Sequence, residues 1–451
     1  MEVRIRTDPL RFLGGVLTGL AFYFPILAPF SFLSLLPLYF GRGLRDYLVY
    51  GFGFSLGATF PLLKAALIIA EVGAGNLPIY YLIAAFGGLL LYLSVVFGFA
   101  LYQFGLTWLL NRFVRFLPLS YTLVELVRER FFFDEMPYFL LGHLWGYFGF
   151  LNLSYRWFPV WFFTFLTLSV SYLLYLGYKR AGWKTFFLPY IPFLLLGITS
   201  YLALRKVSYT LPNFPITVIQ PFFKQNDKLE NQKLLLPYLE LLLVKAPKEG
   251  LTVLPETVLD YGENPEEFVK TFSDRDLLFG VQRLTYDERR KEVLALNEVI
   301  LAEHGKIKGV YIKNYPVPFG EYTPKGFNLL GKLFHYFEGV DYAFGRGFKT
   351  FDYRGFRISP LVCNEVFYLP DLKGELITVH SNDAWFFGPF VNYHRLLAKI
   401  EAIKTSKVVL FVNNNGGSAL ILPDGVVYGC GDRRVCSLVY QTAKEVSEEG
   451  K

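Results

Sequence analysis

Cys363 sits at the end of an apolar run, Ser359-Pro360-Leu361-Val362-Cys363-Asn364-Glu365, and polar residues follow it at once. A strand delivers a nucleophile to a site in this way. Taken alone, however, a lone cysteine in such a run reads first as a packed structural thiol, since free cysteine is among the most buried residue types. Two other apolar runs stop on charge. Thr252-Val253-Leu254-Pro255 ends on Glu256, and Tyr311-Ile312 ends on Lys313, after which a proline-rich turn returns a second carboxylate, Glu321. Singly, Glu256 reads as a capping or surface acid and Lys313 as a solvated amine. Together they make a chemical set. A thiol is mostly protonated at neutral pH and needs a base or a cation beside it before it attacks a carbonyl. Glu256 can take the thiol proton, Lys313 can stabilise the oxyanion of a tetrahedral intermediate, and Glu321 can orient the lysine. No histidine is placed by sequence as a partner for Cys363, which argues against a Cys-His pair.

The elements that must hold these residues belong to the second half of the chain. From Ile216 onward, short β-rich runs (216–220, 251–254, 277–283, 292–301, 310–312, 356–362, 376–380, 408–412, 419–422) alternate with helical stretches such as 228–245, a pattern that predicts a layered α/β domain. The first half is different. Of 451 residues 53% are hydrophobic and 19% aromatic, and up to Leu204 long apolar runs carry few acids. A spanning helix needs roughly 20 apolar residues, and seven candidates are read over 11–26, 29–41, 48–70, 78–110, 116–132, 157–178 and 184–203. The first two are broken by Pro25, Pro29 and Pro37, and 136–153 reads as re-entrant or interfacial. The expected division is a polytopic membrane domain over 1–207, an α/β domain over 208–445 and a polar tail over 446–451.

In the seven-span arrangement one side carries Arg4, Arg6, Arg11, Arg42, Arg45, Arg112, Arg115, Lys179, Arg180 and Lys184, and the other only Arg128, Arg130 and Arg156, offset by Glu129, Asp134 and Glu135. The bias of Lys and Arg towards the cytoplasm then puts the N-terminus inside and the second domain outside, which in a bacterium is the periplasm. No small-x-small site closes the first apolar segment, so it is not expected to be a cleaved signal peptide. The net charge of +7 is explained by this topology. No basic cluster interleaved with exposed aromatics is present, which argues against nucleic-acid binding. Cys430 and Cys436 can pair in an oxidising compartment or stay free. His143, His304, His335, His380 and His394 are scattered, so neither a metal nor another cofactor is expected. Lys64, Glu125 and His143 lie near bilayer depth, where polar groups either pair or serve a function.

Another stretch bears on lipid. Phe327, Leu330, Phe334 and Phe337, with Leu329, Leu333 and Tyr336, crowd one segment after Glu321 and carry Lys325 and Lys332 among them. An interfacial lid or lipid gate would use such residues, and so would a core helix.

Glu256, Lys313 and Cys363 in this order resemble the carbon-nitrogen hydrolase (nitrilase) superfamily. The resemblance rests also on the proline-rich turn to Glu321, on Ser381-Asn382-Asp383-Ala384-Trp385-Phe386 and on Asn414-Asn415-Gly416-Gly417-Ser418-Ala419. With its apolar first half and Glu125-Leu126-Val127-Arg128, the chain resembles that superfamily's membrane branch, the apolipoprotein N-acyltransferase family. The resemblance implies an αββα sandwich after a helical transmembrane bundle. It also implies acyl transfer from a phospholipid such as phosphatidylethanolamine through a Cys363 thioester to the N-terminal amine of a diacylated apolipoprotein. It makes Glu256 the base, Lys313 the oxyanion cation and Cys363 the nucleophile, with Glu321, Glu365 and Asn364 supporting and Trp385 joining the lipid-facing set. The departures are specific. Asn364 stands where the family has an aromatic, Pro221 where a glycine follows the first strand's glutamine, and Glu401-Ala402-Ile403-Lys404 where an arginine precedes a glutamate. The exchanged Glu401 and Lys404 are still spaced to pair on one helix face. No apolar run follows Leu438, so the domain is expected to be tethered at one end. A membrane-tethered amidase that gives its thioester to water and a non-catalytic membrane scaffold are the rival readings.

Overall fold

The computed structural model describes residues 8–74, 78–131, 137–180, 187–230, 232–289, 291–318, 320–322 and 340–438. The chain forms two compact units, one made of Met1–Ala70 and Leu77–Val207, the other containing Ser208–Lys451.

Among the described residues the longer helices of the N-terminal half are α1 (Asp8–Leu20), α2 (Leu44–Thr59), α3 (Leu62–Ala74), α4 (Pro78–Ala100), α5 (Leu106–Val114), α6 (Leu117–Phe131), α7 (Val160–Arg180) and α8 (Ile191–Arg205). Among the described residues three helical stretches are long and apolar enough to cross a membrane, Ala85–Val114, Val160–Lys179 and Leu188–Arg205. A fourth is present if Leu44–Thr59 and Leu62–Ile68, which meet at 64°, are one broken span. The other expected spans are shorter here. Among the described residues α1 has 13 residues and α6 has 15, which at 1.5 Å per residue is shorter than a core about 30 Å thick. The run over 29–41 resolves into two four-residue helices, Ser31–Ser34 and Leu36–Tyr39, with a proline in the first turn of the second. Hydropathy sees apolar runs but not the breaks that proline makes in them.

The stretch over 141–156 is a pair of 3-10 segments, and α6 supplies what its backbone lacks. Glu125 Oε1 accepts the Leu141 amide at 2.9 Å and Oε2 accepts the Thr164 hydroxyl at 2.6 Å. One turn on, Arg128 donates to the carbonyls of Tyr138 and Phe139 at 2.5 and 3.5 Å. Irregular backbone within an apolar unit requires such partners.

The second unit is a sandwich of two six-stranded sheets. One holds β1 (Ile216–Ile219), β2 (Leu251–Val253), β3 (Asp276–Asp287), β4 (Glu292–Glu303), β5 (Lys306–Ile312) and β12 (Val435–Ser437), in the order β12-β1-β2-β3-β4-β5. The other holds β6 (Phe351–Tyr353), β7 (Phe356–Val362), β8 (Leu376–Ser381), β9 (Val408–Asn413), β10 (Ala419–Ile421) and β11 (Val427–Gly429), in the order β11-β10-β9-β8-β7-β6. Strands β1 to β3 are parallel, as are β7 to β9. Their sequences are mostly apolar because both faces are covered over the paired stretch. Val218, Val253 and Leu278 meet Ile358, Leu376 and Leu410 between the sheets. After the short α9 (Gln225–Glu230), helices α10 (Gln232–Lys245) and α11 (Pro265–Thr271) pack Leu239, Leu243 and Phe268 on the outer face of the first sheet. Helix α12 (Phe390–Thr405) covers β9 and β10 on the other side. The architecture is therefore α/β/β/α.

β4 is antiparallel to both β3 and β5, so β5 runs in the direction of β2 and β3, and Glu256 and Lys313 emerge at the same end of their sheet. Cys363 follows β7 directly. Open α/β sheets gather ligands at the carboxyl ends of their strands.

Candidate active site

Glu256 is held beyond β2 by close backbone packing. A Cβ on Gly280 of β3 would lie 2.6 Å from the Glu256 Cα, so glycine is what lets this loop cross the sheet. Thr257, in the left-handed region at φ 51°, is fixed by the buried Lys228, whose Nζ donates to its hydroxyl at 2.7 Å. The Glu256 carboxylate is met on both oxygens. Asn297 Nδ2 donates to Oε1 at 2.7 Å and the Asn382 amide to Oε2 at 3.0 Å. Lys313 Nζ lies 3.6 Å from Glu256 Oε1 and 2.9 and 2.8 Å from the two oxygens of Glu321. Asn297 also reaches Glu321 at 3.2 Å, which makes one buried network of an amide, an ammonium and two carboxylates. Burial works to lower the Lys313 pKa, but Glu321 and Glu256 overcome it and hold the group above its ordinary value. Lys313 is therefore a fixed cation.

Cys363 opens a short 3-10 turn in the left-handed region at φ 49°, a conformation that non-glycine residues keep only where the surroundings impose it. The residue is half-buried, yet burial of its thiol pushes the pKa up, Glu256 adds to this and Lys313 opposes it. The resting thiol is protonated and needs a base. Two residues on, Glu365 accepts the amides of Val362 and Asn314 at 2.7 and 2.6 Å and the Tyr311 hydroxyl at 2.8 Å. It thereby joins the end of the cysteine strand to the end of the lysine strand. Burial pushes its carboxyl up to about 7, against these hydrogen bonds. Asn364 Nδ2 donates to the Tyr315 carbonyl at 2.9 Å, a polar tie to the lysine loop where an aromatic was expected. The three strand ends named from sequence thus meet at one place.

No protein-family model matches the chain. A protein of Aquifex aeolicus named apolipoprotein N-acyltransferase is 33% identical over 436 residues, covering 92% of this chain and 94% of its own length. The chain belongs to the apolipoprotein N-acyltransferase family. It is an acyltransferase. A family member from Azotobacter vinelandii is 30% identical across 88% of this chain and 81% of its own, and one from Pseudomonas syringae is 29% identical across 78% and 76%. Among solved structures, a CN-hydrolase superfamily protein of Xanthomonas campestris aligns with 53% of this chain and 95% of its own, at 19% identity and a TM-score of 0.39.

The site holds residues that the sequence did not point to. His394, counted there among scattered histidines, lies under the Cys363 turn, where its Nε2 donates to the Cys363 main-chain carbonyl at 2.9 Å. It does not act as a Cys-His pair, since that bond goes to the carbonyl oxygen. The signal was a polar residue on the inner stripe of α12, where Phe390, Tyr393, Leu397 and Ile400 are buried with it. Asn297 lay mid-strand in β4 and gave no signal of its own. Cys363, Asp383 and His394 bring ligand-type atoms within 4.8 Å of one another. Both His394 nitrogens and both Asp383 oxygens are engaged in hydrogen bonds inside the protein, so this donor set does not suit a metal ion. Trp385 is half-buried in the turn after β8. Phe327, Leu330, Phe334 and Phe337 lie outside the described residues.

One open alternative is settled and one expectation changes. Cys430 and Cys436 form a disulfide. The loop between them offers the carbonyls of Gly431 and Arg433 to Gln220 Nε2. The expected Glu401–Lys404 pair does not form a salt bridge. The Lys404 ammonium donates to the Leu369 carbonyl, and the fully buried Glu401 carboxyl has no hydrogen-bond partner. Leu369 ends the Cys363 turn in a left-handed conformation, and its carbonyl competes for Lys404.

Proposed function

We propose that the protein transfers a fatty acyl chain from a phospholipid, with phosphatidylethanolamine the expected donor, to the α-amine of a lipoprotein's N-terminal diacylglyceryl-cysteine, through a thioester on Cys363. The observation that carries this reading is the convergence of Glu256, Lys313 and Cys363 in a chain of this family. Glu256 takes the thiol proton as sulfur attacks the ester carbonyl, and the oxyanion forms beside Lys313. Collapse of the intermediate expels the lysophospholipid alkoxide, which recovers the proton from Glu256. In the second half-reaction Glu256 accepts a proton from the attacking amine, the amide forms, and the departing sulfur is protonated again. Glu321 keeps the lysine aimed, and the held cation costs no reorganisation as charge develops. A thioester keeps enough reactivity for an amine to displace it.

Both substrates carry acyl tails, which agrees with a polytopic chain. We place it in the bacterial inner membrane with seven crossings, the N-terminus cytoplasmic and the catalytic domain periplasmic, where Phe327, Leu330, Phe334, Phe337 and Trp385 would face lipid. The Cys430–Cys436 disulfide supports an oxidising compartment.

The test incubates purified protein with phospholipid and then with a diacylated lipopeptide. One acyl increment on Cys363, absent from Cys363→Ala, followed by a triacylated product, is the expected result. Acylation elsewhere removes the assignment of Cys363, and release of free fatty acid without product makes the protein a hydrolase. Glu256→Gln separates base from bystander by opposing readouts. Acylation should fall by about 10²–10⁴-fold, while iodoacetamide alkylation of Cys363 should speed up, because the Glu256 charge raises the thiol pKa.

A further inference from the structure

His394, Asp383 and Asn413 are buried and come from three elements, α12, the turn after β8 and the end of β9. Their hydrogen bonds form one chain that ends on the Cys363 turn. Asn413 Nδ2 donates to Asp383 Oδ2 at 3.1 Å, and the Asp383 amide donates back to Asn413 Oδ1 at 3.0 Å. Asp383 Oδ1 lies 2.9 Å from His394 Nδ1, and His394 Nε2 lies 2.9 Å from the Cys363 carbonyl oxygen. A carbonyl only accepts, so Nε2 carries a proton. A carboxylate only accepts, so Nδ1 carries one as well. Against an ionised Asp383 the ring carries both protons. Burial works to discharge it, but the Asp383 carboxylate prevails and raises its pKa. Phe367, Phe390 and Phe411 stand around the ring at centroid distances of 5.5, 5.8 and 5.3 Å, so it has one available orientation.

A buried ion pair is a poor way to add stability, because its desolvation offsets most of the attraction, and an apolar replacement of the same volume is often as stable. What this one does is grip a single atom, the carbonyl oxygen of the residue in the left-handed turn. We propose that His394, oriented by Asp383 and Asn413, is a positioning residue that holds the strained backbone of Cys363 and so fixes where Sγ stands relative to Glu256 and Lys313. It touches neither substrate nor the reacting sulfur in this role. The inference rests on reading Cys363 as the acylated residue.

The test uses full-length protein in detergent, with His394→Leu, which fills the space without a donor, His394→Gln, whose amide can still donate towards the Cys363 carbonyl, and Asp383→Asn. Acylation of Cys363 by phospholipid is followed in single turnover over a range of donor concentrations, beside the thermal midpoint and the rate of iodoacetamide alkylation. A misplacement of about 1 Å at a reacting group costs on the order of 100-fold. His394→Leu should therefore lose about that factor in the limiting acylation rate, with the half-saturating donor concentration unchanged and Cys363 still alkylated. His394→Gln should recover most of the rate, and Asp383→Asn should fall between. Wild-type acylation by His394→Leu overturns the proposal. So does equal loss in His394→Leu and His394→Gln that tracks their thermal midpoints, since that marks a packing role. If wild-type protein takes no acyl group on Cys363, it is the reading of the site that fails, and alkylation still reports whether the turn moved.

Discussion

Glu401 on α12 is fully buried and its carboxyl has no hydrogen-bond partner. Burial is the main cause that pushes its pKa up to about 8, from an ordinary value of 4.5, with Lys404 and Lys407 opposing and Asp371 adding to it. The group is mostly a neutral acid at pH 7. Because the folded value lies above the unfolded one, the stability it permits is complete below about pH 4.5. It drains away as pH rises and is gone once the pH passes about 8. At 1.36 kcal/mol per unit, the difference between 4.5 and about 8 sets a ceiling of about 5 kcal/mol on the loss. Glu401→Gln removes the titration while keeping the shape. Thermal midpoints of wild type and variant should agree near pH 5 and diverge in favour of the variant towards pH 8.5, by on the order of 10 °C if the ceiling is reached, at a few degrees per kcal/mol. Glu365 titrates in the same window, but it is present in both proteins and cancels in the difference. A constant offset between the two curves from pH 5 to 9 would refute the reasoning, since it would mean that the carboxyl finds a partner or water when ionised.

Three other outcomes are expected. Tyr311→Phe removes the hydroxyl that Glu365 and Asn314 share. It should cost about 1–3 kcal/mol in chemical unfolding and slow Cys363 acylation. Gly280→Ala places a methyl 2.6 Å from the Glu256 Cα, so acylation should fall much further than the thermal midpoint does. Cys430→Ser with Cys436→Ser opens a short loop, with a separation of six residues, and should lower stability by about 2 kcal/mol from loop entropy. Reductant should reproduce the effect in the wild type and leave the double variant unchanged.

The buried parallel strands were legible as short, mostly apolar runs, and so were Glu256, Lys313 and Cys363, because each ends such a run with a charge or a thiol. What escaped were features made by contacts distant in sequence. Val435–Ser437 is three residues long and is a strand only through its antiparallel partner, β1. Phe351–Tyr353 is likewise too short for periodicity to show. His394 looks like any helix residue until Asp383 and Cys363 are folded against it. Local spacing misled at Glu401 and Lys404, where an i, i+3 pair was available but the lysine found a carbonyl from another element. In the first unit the apolar helices were legible from composition, and the breaks at Pro25 and Pro37 from the prolines themselves.

The pairing of β1 with β12 sets a condition on the order of events during synthesis. β1 is the first strand of its sheet to be made, and one of its two edges is completed by residues 435–437. On a chain growing from the N-terminus, Thr217, Val218 and Ile219 leave the ribosome more than two hundred residues before their partners, with one backbone edge open to any other strand. The outer edge of β1 is therefore closed only when the last strand has been made. A ribosome stalled just before the last strand would leave a nearly complete domain with one open strand edge, a nascent form that a chaperone would have reason to bind.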